Sequence, residues 1–390
     1  MSASQNKYGF IKTELRNRRK LSRFRRLRQA APLSGPEIRV DGKALTNFCS
    51  NDYLGLSQHP LVKQRAAEYI AAYGAGSTAS RLICGNIEAF ARIEEKLAGL
   101  KKNPAALLFS TGFQANVSII PALADRQTLI CSDRLNHNSL IQGIRLARCQ
   151  VRVYRHNDTA HLEEILQAHQ GQGFSRILIV AESVFSMDGD RSDLDALEAL
   201  ADAYGALLVV DDAHATGVLG DRGMGLTAGR QVDAAIGTFG KAAGSFGAYI
   251  SGSRELKEYM INCCSGLIYS TALPPAVLGA VDAALELIPG MGKERRKLQE
   301  KAAWLRGRLR ENGWEMTDSS SQIVPVIVGS EENVLELSRF LEENGILATA
   351  IRPPTVPEGS ARIRISLTAL HTWAHLEKLV AAFAGWAGRR

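Results

Sequence analysis

Short apolar runs alternate with longer stretches of helical periodicity from about residue 60 to residue 251. Short runs that stay apolar throughout are typical of strands buried on both faces, and the stretches between them are long enough for crossover helices. The alternation therefore predicts an α/β fold in which a mostly parallel, seven-stranded sheet is covered by helices. The predicted strands are Ala105–Phe109, Thr128–Cys131, Gln150–Tyr154, Arg176–Ala181, Ala206–Val210, Ala234–Thr238 and Ala248–Ser251.

The pattern changes after Pro275, where a long helical region is followed by a β-α-β-β-α pattern. This change predicts a smaller α+β domain at the C-terminus. We place the large domain at residues 46–280, the small domain at 281–390 and an N-terminal segment at 1–45, which contains an Asp41-Gly42 hairpin signal. The elements expected in the small domain are Ile323–Val328, Val334–Asn344, Ile346–Ile351, Arg362–Leu367 and Thr372–Ala384.

Positive charge is concentrated at the N-terminus. Residues 1–30 hold ten Lys and Arg residues against Glu14 alone, a net charge of +9, so the other 360 residues carry −2 of the total +7. Apolar residues recur near helical spacing in this segment, which predicts a basic amphipathic helix that docks on the rest of the protein. A basic surface suits nucleic acid, an anionic membrane or an acidic protein, but no interleaved aromatic residues favour stacking on bases. The apolar positions are Ile11, Leu15, Leu21, Phe24 and Leu27.

The remaining composition predicts a cytoplasmic protein without a metal site. No apolar run is long enough to span a bilayer, and the N-terminus is too charged for a secretory signal. The six cysteines include no C-x-x-C pair and no spacing of a disulfide framework, so reduced thiols are expected.

Polar residues follow three predicted strands at the edge where the carboxyl ends of parallel strands meet. Asp211 and His214 follow one strand, Lys241 follows the next, and the Gly112-Phe113 turn opens a helix after a third. A buried carboxylate needs a cationic partner, and the first N–H groups of a helix suit a phosphate. These groups match the ring nitrogen, aldehyde and phosphate of pyridoxal 5′-phosphate (PLP), which is therefore the predicted cofactor.

The chain resembles the α-oxoamine synthases, a branch of the fold-type-I PLP enzymes, over about residues 45 to 370. The resemblance implies the fold of a fold-type-I PLP transferase and a homodimer with its active site at the subunit interface. It is carried by motifs in the family's order, which are Ser50–Gly55, Ser110–Phe113, Asp133–His137, Glu182–Gly189, Asp211–Gly217 and Thr238–Lys241.

The resemblance also assigns roles to single residues. It implies that Lys241 holds the cofactor and moves the proton at the amino acid's α-carbon, that Asp211 pairs with the ring nitrogen, and that His137 stacks on the ring; these three are the predicted catalytic residues. The predicted cofactor-binding residues are Gly112, Phe113, His137, Ser186, Asp211, His214, Thr238 and Lys241. The predicted substrate-binding residues are Arg25, Asn51, His137, Arg352, Thr355 and Arg364.

Within the family, the segment Ile351–Arg364 is most similar to the branch that joins L-alanine to a pimeloyl thioester in biotin synthesis. The thioester carrier is then coenzyme A or an acyl-carrier protein. Because carrier proteins are acidic, the basic N-terminal helix is a candidate surface for docking one.

Two alternatives stay open. Sister synthases use glycine, namely 2-amino-3-ketobutyrate ligase and 5-aminolevulinate synthase. An alternative from another class is a non-catalytic protein that binds nucleic acid through its basic N-terminus. We expect the enzyme, and we expect it to bind neither nucleic acid nor membrane.

Overall fold

The computed structural model describes residues 7–388, so residues 1–6 and 389–390 of the predicted N-terminal and C-terminal segments lie outside the described residues. The helices are α1 Gly9–Lys20, α2 Pro60–Tyr73, α3 Glu88–Lys101, α4 Gly112–Leu123, α5 Asn138–Ala147, α6 Thr159–His169, α7 Leu194–Tyr204, α8 Arg254–Cys263, α9 Ser265–Ile268, α10 Pro275–Leu287, α11 Gly292–Glu311, α12 Glu331–Glu343 and α13 Trp373–Ala387. The strands are β1 Ala30–Pro32, β2 Glu37–Val40, β3 Lys43–Asn47, β4 Ala105–Phe109, β5 Thr128–Asp133, β6 Gln150–Tyr154, β7 Arg176–Glu182, β8 Ala206–Asp211, β9 Ala234–Thr238, β10 Ala248–Gly252, β11 Ile323–Gly329, β12 Ile346–Leu347, β13 Ala350–Ile351 and β14 Ala361–Ser366.

The chain forms two compact units, and the boundary between them falls within α11. One unit comprises residues 51–186 and 190–298, and the other comprises the chain up to Ser50, residues 187–189 and the chain from Gln299 onward. The sequence instead places a boundary at 280/281, which lies inside α10, and treats 1–45 as a separate segment. Those bounds stay a prediction.

The larger unit contains the predicted seven-stranded sheet, in the order β4-β10-β9-β8-β7-β5-β6. β10 runs antiparallel to both of its neighbours, and every other neighbouring pair is parallel. All seven predicted apolar runs overlap these strands, so the predicted mostly parallel sheet is confirmed.

Both faces of this sheet are buried, which explains why its strands are apolar throughout. Successive residues of a strand point to opposite faces. Ile130, Leu178 and Val209 pack with α4, α5 and α8 on one face. Their neighbours Leu129 and Ile179 pack with α6 and α7 on the other.

The smaller unit contains a four-stranded sheet in the order β1-β2-β3-β12 and a three-stranded sheet in the order β11-β14-β13. The predicted hairpin at Asp41-Gly42 joins β2 and β3, and both turn residues have positive φ, at 48° and 86°. The single strand predicted at Ile346–Ile351 is wrong. Its first half pairs with β3 and its second half with β14, because the chain leaves one sheet for the other at Ala348.

Helix α1 also differs from the sequence prediction. The periodic apolar positions extend to Leu27, but α1 ends at Lys20 and none of its residues is buried. The described part of this segment is joined to its unit by ion pairs instead, from Arg23 to Glu331 and from Arg28 to Glu342. The basic helix is therefore present, but docking through its apolar stripe is not observed.

Among residues 7–388, no single helix has both the length and the apolarity needed to cross a membrane. The segments Pro275–Gly290 and Gly292–Glu311 meet that test only when joined, and they are bent by 76° where they meet.

Candidate active site

The carboxyl ends of β4, β5, β7, β8 and β9 meet at one edge of the seven-stranded sheet, around a cavity of about 200 Å³. Binding sites of open α/β sheets form at this edge because the loops after the strands converge there. The lining residues are Gly112, Phe113, Asn116, His137, Ser139, Glu182, Asp211, Ala213, His214, Ile236, Gly237, Thr238 and Lys241.

Seven of the eight predicted cofactor-binding residues line this cavity, and they are Gly112, Phe113, His137, Asp211, His214, Thr238 and Lys241. Ser186 and Asn51 belong to the same unit but lie outside the lining set. The predicted substrate residues Arg25, Arg352, Thr355 and Arg364 belong to the other unit.

Asp211 is held in a fixed orientation at the end of β8. Its Oδ2 accepts a hydrogen bond from Asn116 Nδ2 at 2.7 Å, and its Oδ1 accepts one from the backbone N–H of Ala213 at 2.9 Å. The same Asn116 amide donates to Ser139 Oγ at 2.9 Å. Both of these donors are neutral groups, so neither brings a positive charge to balance this buried carboxylate.

His137 precedes α5 as its N-terminal capping residue. Its Nδ1 accepts the backbone N–H of Ser139 at 3.2 Å, which places the ring proton on Nε2. Burial lowers the pKa of His137, the charge of Asp211 opposes that change, and Lys241 lowers the pKa further. The His137 ring is therefore neutral near pH 7.

Glu182, at the end of β7, is a second buried carboxylate in the cavity. Its Oε1 accepts the backbone N–H of His137 at 2.5 Å. Burial and then the nearby charge of Asp211 raise the pKa of Glu182 well above its usual value, while Lys241 acts in the opposite direction. Glu182 therefore holds the His137 backbone in place and binds a proton more readily than an ordinary glutamate.

His214 is positioned by a tyrosine. Its Nδ1 lies 2.7 Å from Tyr53 Oη, and the Tyr53 hydroxyl also lies 3.1 Å from Asn51 Oδ1. His214 lines the cavity, so Asn51 is linked to a lining residue through Tyr53.

The Gly112 turn at the start of α4 is suited to bind a phosphate. Thr111 caps the helix, and its side chain accepts the N–H of Gln114. The N–H groups of the first helical turn have no partner within the helix, and the helix dipole favours an anion there. Thr238 lies beside this turn, since a Cβ built on Gly112 would be in ordinary contact with the Thr238 Cβ at 3.7 Å.

Lys241 lies in the connection between β9 and β10. Its carbonyl accepts the N–H of Gly244 at 2.9 Å, which closes a tight turn around the small residues that follow the lysine. Ala242 and Ala243 are fully buried, and Ala242 lies against the backbone at Gly217. These small residues let the Lys241 turn pack closely on the loop after His214.

In the other unit, Arg25 Nη2 donates to Thr355 Oγ1 at 3.3 Å, and Arg352 donates to the backbone carbonyl of Ser22. Three of the predicted substrate residues therefore come from segments that contact each other. Arg364 lies on β14, is buried, and donates from Nη1 to Ser366 Oγ at 2.6 Å.

Three further lining residues, Asn116, Ser139 and Glu182, are not among the site residues predicted from the sequence. Asn116 and Ser139 are polar residues within apolar amphipathic helices, and each is almost fully buried. The available signal was Asn116, an amide within an apolar helix and one helical turn beyond Gly112.

These residues fit PLP. Asp211 offers a charged acceptor for a protonated ring nitrogen, Lys241 offers an amine for the aldehyde, and the Gly112 turn offers N–H groups for the phosphate. The hydrogen-bond donors to the buried Asp211 carboxylate are neutral, so the site favours a ligand that brings positive charge to it. Among the described residues, no group of three or more His, Cys, Asp and Glu side chains could hold a metal ion.

Comparison with known proteins identifies the family. The sequence profile of the family described as "Aminotransferase class I and II" matches residues 43–383. The chain is 58% identical to the putative 8-amino-7-oxononanoate synthase of Desulfosudis oleivorans, over 98% of this chain and 99% of that protein. It is 46% identical to the 8-amino-7-oxononanoate synthase of Geobacter sulfurreducens, over 96% and 97%.

A solved structure of serine palmitoyltransferase with PLP superimposes with a TM-score of 0.91, at 26% identity and over 98% of each chain. The predictions of a fold-type-I fold, a PLP cofactor and a PLP-dependent acyltransferase are confirmed by these matches. The chain belongs to the aminotransferase class I and II family of PLP enzymes, in the group of the 8-amino-7-oxononanoate synthases.

Proposed function

We propose that the protein condenses L-alanine with a pimeloyl thioester, releasing carbon dioxide and the thiol carrier and giving 8-amino-7-oxononanoate for biotin synthesis in the cytoplasm. The observation that carries the proposal is the convergence of Asp211, Lys241 and the Gly112 turn on one cavity. It occurs in a chain that is 46–58% identical to synthases of that name.

PLP, when bound, supplies a ring that accepts electrons from the α-carbon of the amino acid. Asp211 keeps the ring nitrogen protonated, and Asn116 fixes the direction of that carboxylate. Lys241 binds the aldehyde at rest and carries the proton at the α-carbon during turnover. A lysine suits this work when burial and nearby cations lower its pKa.

The other lining residues orient the cofactor. We assign the phosphate to the N–H groups of Gly112 and Phe113 and to the Thr238 hydroxyl. We assign the ring face to His137, and the ring oxygen to His214 and Ser186. Tyr53 supports this arrangement because its hydroxyl lies within hydrogen-bond distance of His214 Nδ1 and so fixes the ring.

The substrate roles rest on the family resemblance. We propose that Arg364 binds the alanine carboxylate, since a guanidinium holds a carboxylate through two parallel hydrogen bonds. Asn51, Arg25, Arg352 and Thr355 are proposed for the substrate side of the reaction. The contact of Arg25 with Thr355 supports a shared role for those two.

A homodimer is also proposed. Large apolar side chains are exposed near the Gly112 turn, most of all Ile83 and Tyr269 at 80% and 84%. The segments that carry them are joined by a bridge between Ser80 and Thr271. Large apolar side chains exposed on adjoining segments suit an interface, and a second copy of the chain is the proposed partner.

The test is product identification by mass spectrometry. The protein with PLP is incubated with L-alanine, glycine or L-serine and with pimeloyl, acetyl or succinyl thioesters. We expect the alanine–pimeloyl product to predominate and to be lost in Lys241→Ala. Preferential turnover of glycine with a short acyl thioester would overturn the assignment in favour of a sister synthase.

The thioester carrier is tested separately. The basic N-terminal helix leads us to propose an acidic acyl-carrier protein, with coenzyme A as the alternative. We expect kcat/KM for the carrier-bound donor to fall steeply with salt, and that for the coenzyme A donor to fall less. An equal, weak salt dependence of both donors would contradict docking on this helix.

A further inference from the structure

His156 lies outside the cavity lining, in the turn between β6 and α6, at the same edge of the sheet as the active site. β6 is the edge strand next to β5, and its last residue, Tyr154, is in register with Asp133. This placement sets His156 beside two loops that lead to proposed cofactor residues.

The ring of His156 bridges two carboxylates. Its Nδ1 lies 2.9 Å from Asp133 Oδ1, and its Nε2 lies 2.8 Å from Asp190 Oδ2. Both carboxylates are almost fully buried. The Phe185 ring contacts the imidazole edge-on, with the two ring centroids 4.4 Å apart. Carboxylates only accept hydrogen bonds, so both ring nitrogens donate and the ring is an imidazolium.

The charge of this ring is stable near neutral pH. Burial, the largest single effect, lowers the pKa of His156, but hydrogen bonds to Asp133 and Asp190 and their charges outweigh it and raise the pKa to about 10. His156 is therefore a fixed cation between two acids.

Each carboxylate belongs to a loop of the site. Asp133 ends β5, its Oδ1 accepts the N–H of Leu135 at 2.7 Å, and the turn continues to His137. Asp190 lies beyond Ser186, and its carbonyl accepts the N–H of Phe185 at 3.1 Å. The His156 ring thus joins the turn that carries His137 to the segment that carries Ser186.

The neighbouring residue strengthens the same bridge. The Asn157 backbone N–H donates to Asp133 Oδ2 at 2.9 Å, and its side-chain amide donates to Asp190 Oδ2 at 2.6 Å. Without the imidazolium, two buried carboxylates would face each other across one neutral amide. Their repulsion would separate the loops that they anchor.

We propose that His156 is a positioning residue of the active site, whose ring holds the His137 turn and the Ser186 segment at a fixed spacing. The two loops are then in place before the cofactor binds. This inference rests on the cofactor roles proposed above for His137 and Ser186.

The test compares three variants with the wild-type protein. His156→Gln removes the charge and one of the two donors. His156→Arg restores a cation that can donate to both carboxylates. His169→Gln is the control, because His169 is a partly buried histidine of α6 whose bonds go to Ile165 and Arg152 and not to these acids.

Hydrogen–deuterium exchange is measured on the full chain with and without PLP. In His156→Gln we expect exchange at least tenfold faster in both 134–140 and 183–192, with recovery in His156→Arg and no change in His169→Gln. We also expect a weaker visible circular-dichroism band of bound PLP and a kcat at least tenfold lower. We expect KM for the amino acid to change much less.

Faster exchange confined to residues 155–158 would overturn the proposal. So would a His156→Gln protein of lowered thermal stability with an unchanged PLP band and an unchanged kcat per bound cofactor. If His156→Gln does not fold, the test relies on His156→Arg, which keeps the cation and both donors. Faster exchange of both segments in a folded His156→Arg protein would then refute the bridge. Hydrogen–deuterium exchange without PLP does not depend on catalytic turnover. The result therefore remains valid even if the proposed substrates are wrong.

Discussion

Lys101, at the end of α3, is a fully buried lysine whose partner, Asp212, follows the cavity-lining residue Asp211. Its Nζ donates to Asp212 Oδ2 at 2.9 Å, to the Met224 carbonyl at 2.9 Å and to Thr227 Oγ1 at 2.6 Å. Asp212 is also fully buried, and it accepts further bonds from Ser183 and from the backbone of residue 226. Burial lowers the pKa of Lys101, but the charge of Asp212, together with smaller contributions from Tyr249 and from hydrogen bonds, outweighs this and raises it, so the lysine is protonated.

Replacing Lys101 by Met keeps the length of the side chain but leaves the Asp212 carboxylate buried without its cation. Removal of one partner of a buried pair costs about 3–5 kcal/mol, out of a total stability of about 5–15 kcal/mol. If the free energy of unfolding falls by about 3 kcal/mol per molar urea, the urea midpoint of this unit is expected to fall by ~1–2 M.

The two units can be followed separately. The four tryptophans, residues 304, 314, 373 and 386, belong to the other unit, whereas the circular dichroism of bound PLP reports the unit that contains Lys101. Urea titrations at saturating PLP should show the shift in the PLP signal.

Lys102→Met is the matched control, because Lys102 makes an exposed ion pair with Asp221 and little change is expected. If the midpoint of Lys101→Met falls no further than that of Lys102→Met, the reasoning about buried charge is refuted.

Three further outcomes are expected. Asp211→Asn should retain PLP but lower kcat about 10²–10³-fold, since a neutral amide stabilises a protonated ring nitrogen poorly; steady-state kinetics with L-alanine checks this, and a loss below fivefold contradicts it. Asn116→Ala removes one hydrogen bond to Asp211 and should cost about tenfold in kcat, and a loss larger than that of Asp211→Asn would contradict the supporting role. His371 is buried, which with the charge of His375 lowers its pKa to about 3. The unfolded chain therefore binds more protons below about pH 6.5, and the unit is expected to lose up to about 1.4 kcal/mol of stability per pH unit as the pH falls from there towards 3. Urea midpoints from tryptophan fluorescence between pH 7.5 and 5 should show a shallower loss in His371→Gln, and equal slopes would refute the assignment.

The strands of the large sheet could be predicted because each is a short apolar run buried on both faces. The residues after β4, β8 and β9 could also be predicted as one site, since parallel strands bring Gly112, Asp211 and Lys241 to the same edge. These predictions depend on local patterns and on one topological rule, and both are visible in the sequence.

Other features depend on contacts between distant residues. The segment Ile346–Ile351 has uniform strand propensity, and only its partners β3 and β14 show that it divides between two sheets. Beyond the end of α1, ion pairs with residues more than 300 positions away hold Arg23 and Arg28 in a segment without regular structure. Similarly, Glu182 acts on the backbone of His137, 45 residues away, and no local pattern shows that contact.

The antiparallel pairing of β10 bears on the order in which the large sheet folds. β10 follows β9 directly and can pair with it early, because the connection between them is short. Its other neighbour is β4, where Ala248 pairs with Phe109, 139 residues earlier. Closing so long a loop is slow, so the pairing of β10 with β4 belongs to the late stages of folding. Since β4 leads into the Gly112 turn and β9 into Lys241, that pairing is needed to bring these two parts of the cavity together. We therefore expect PLP to bind only after β10 has paired with both neighbours.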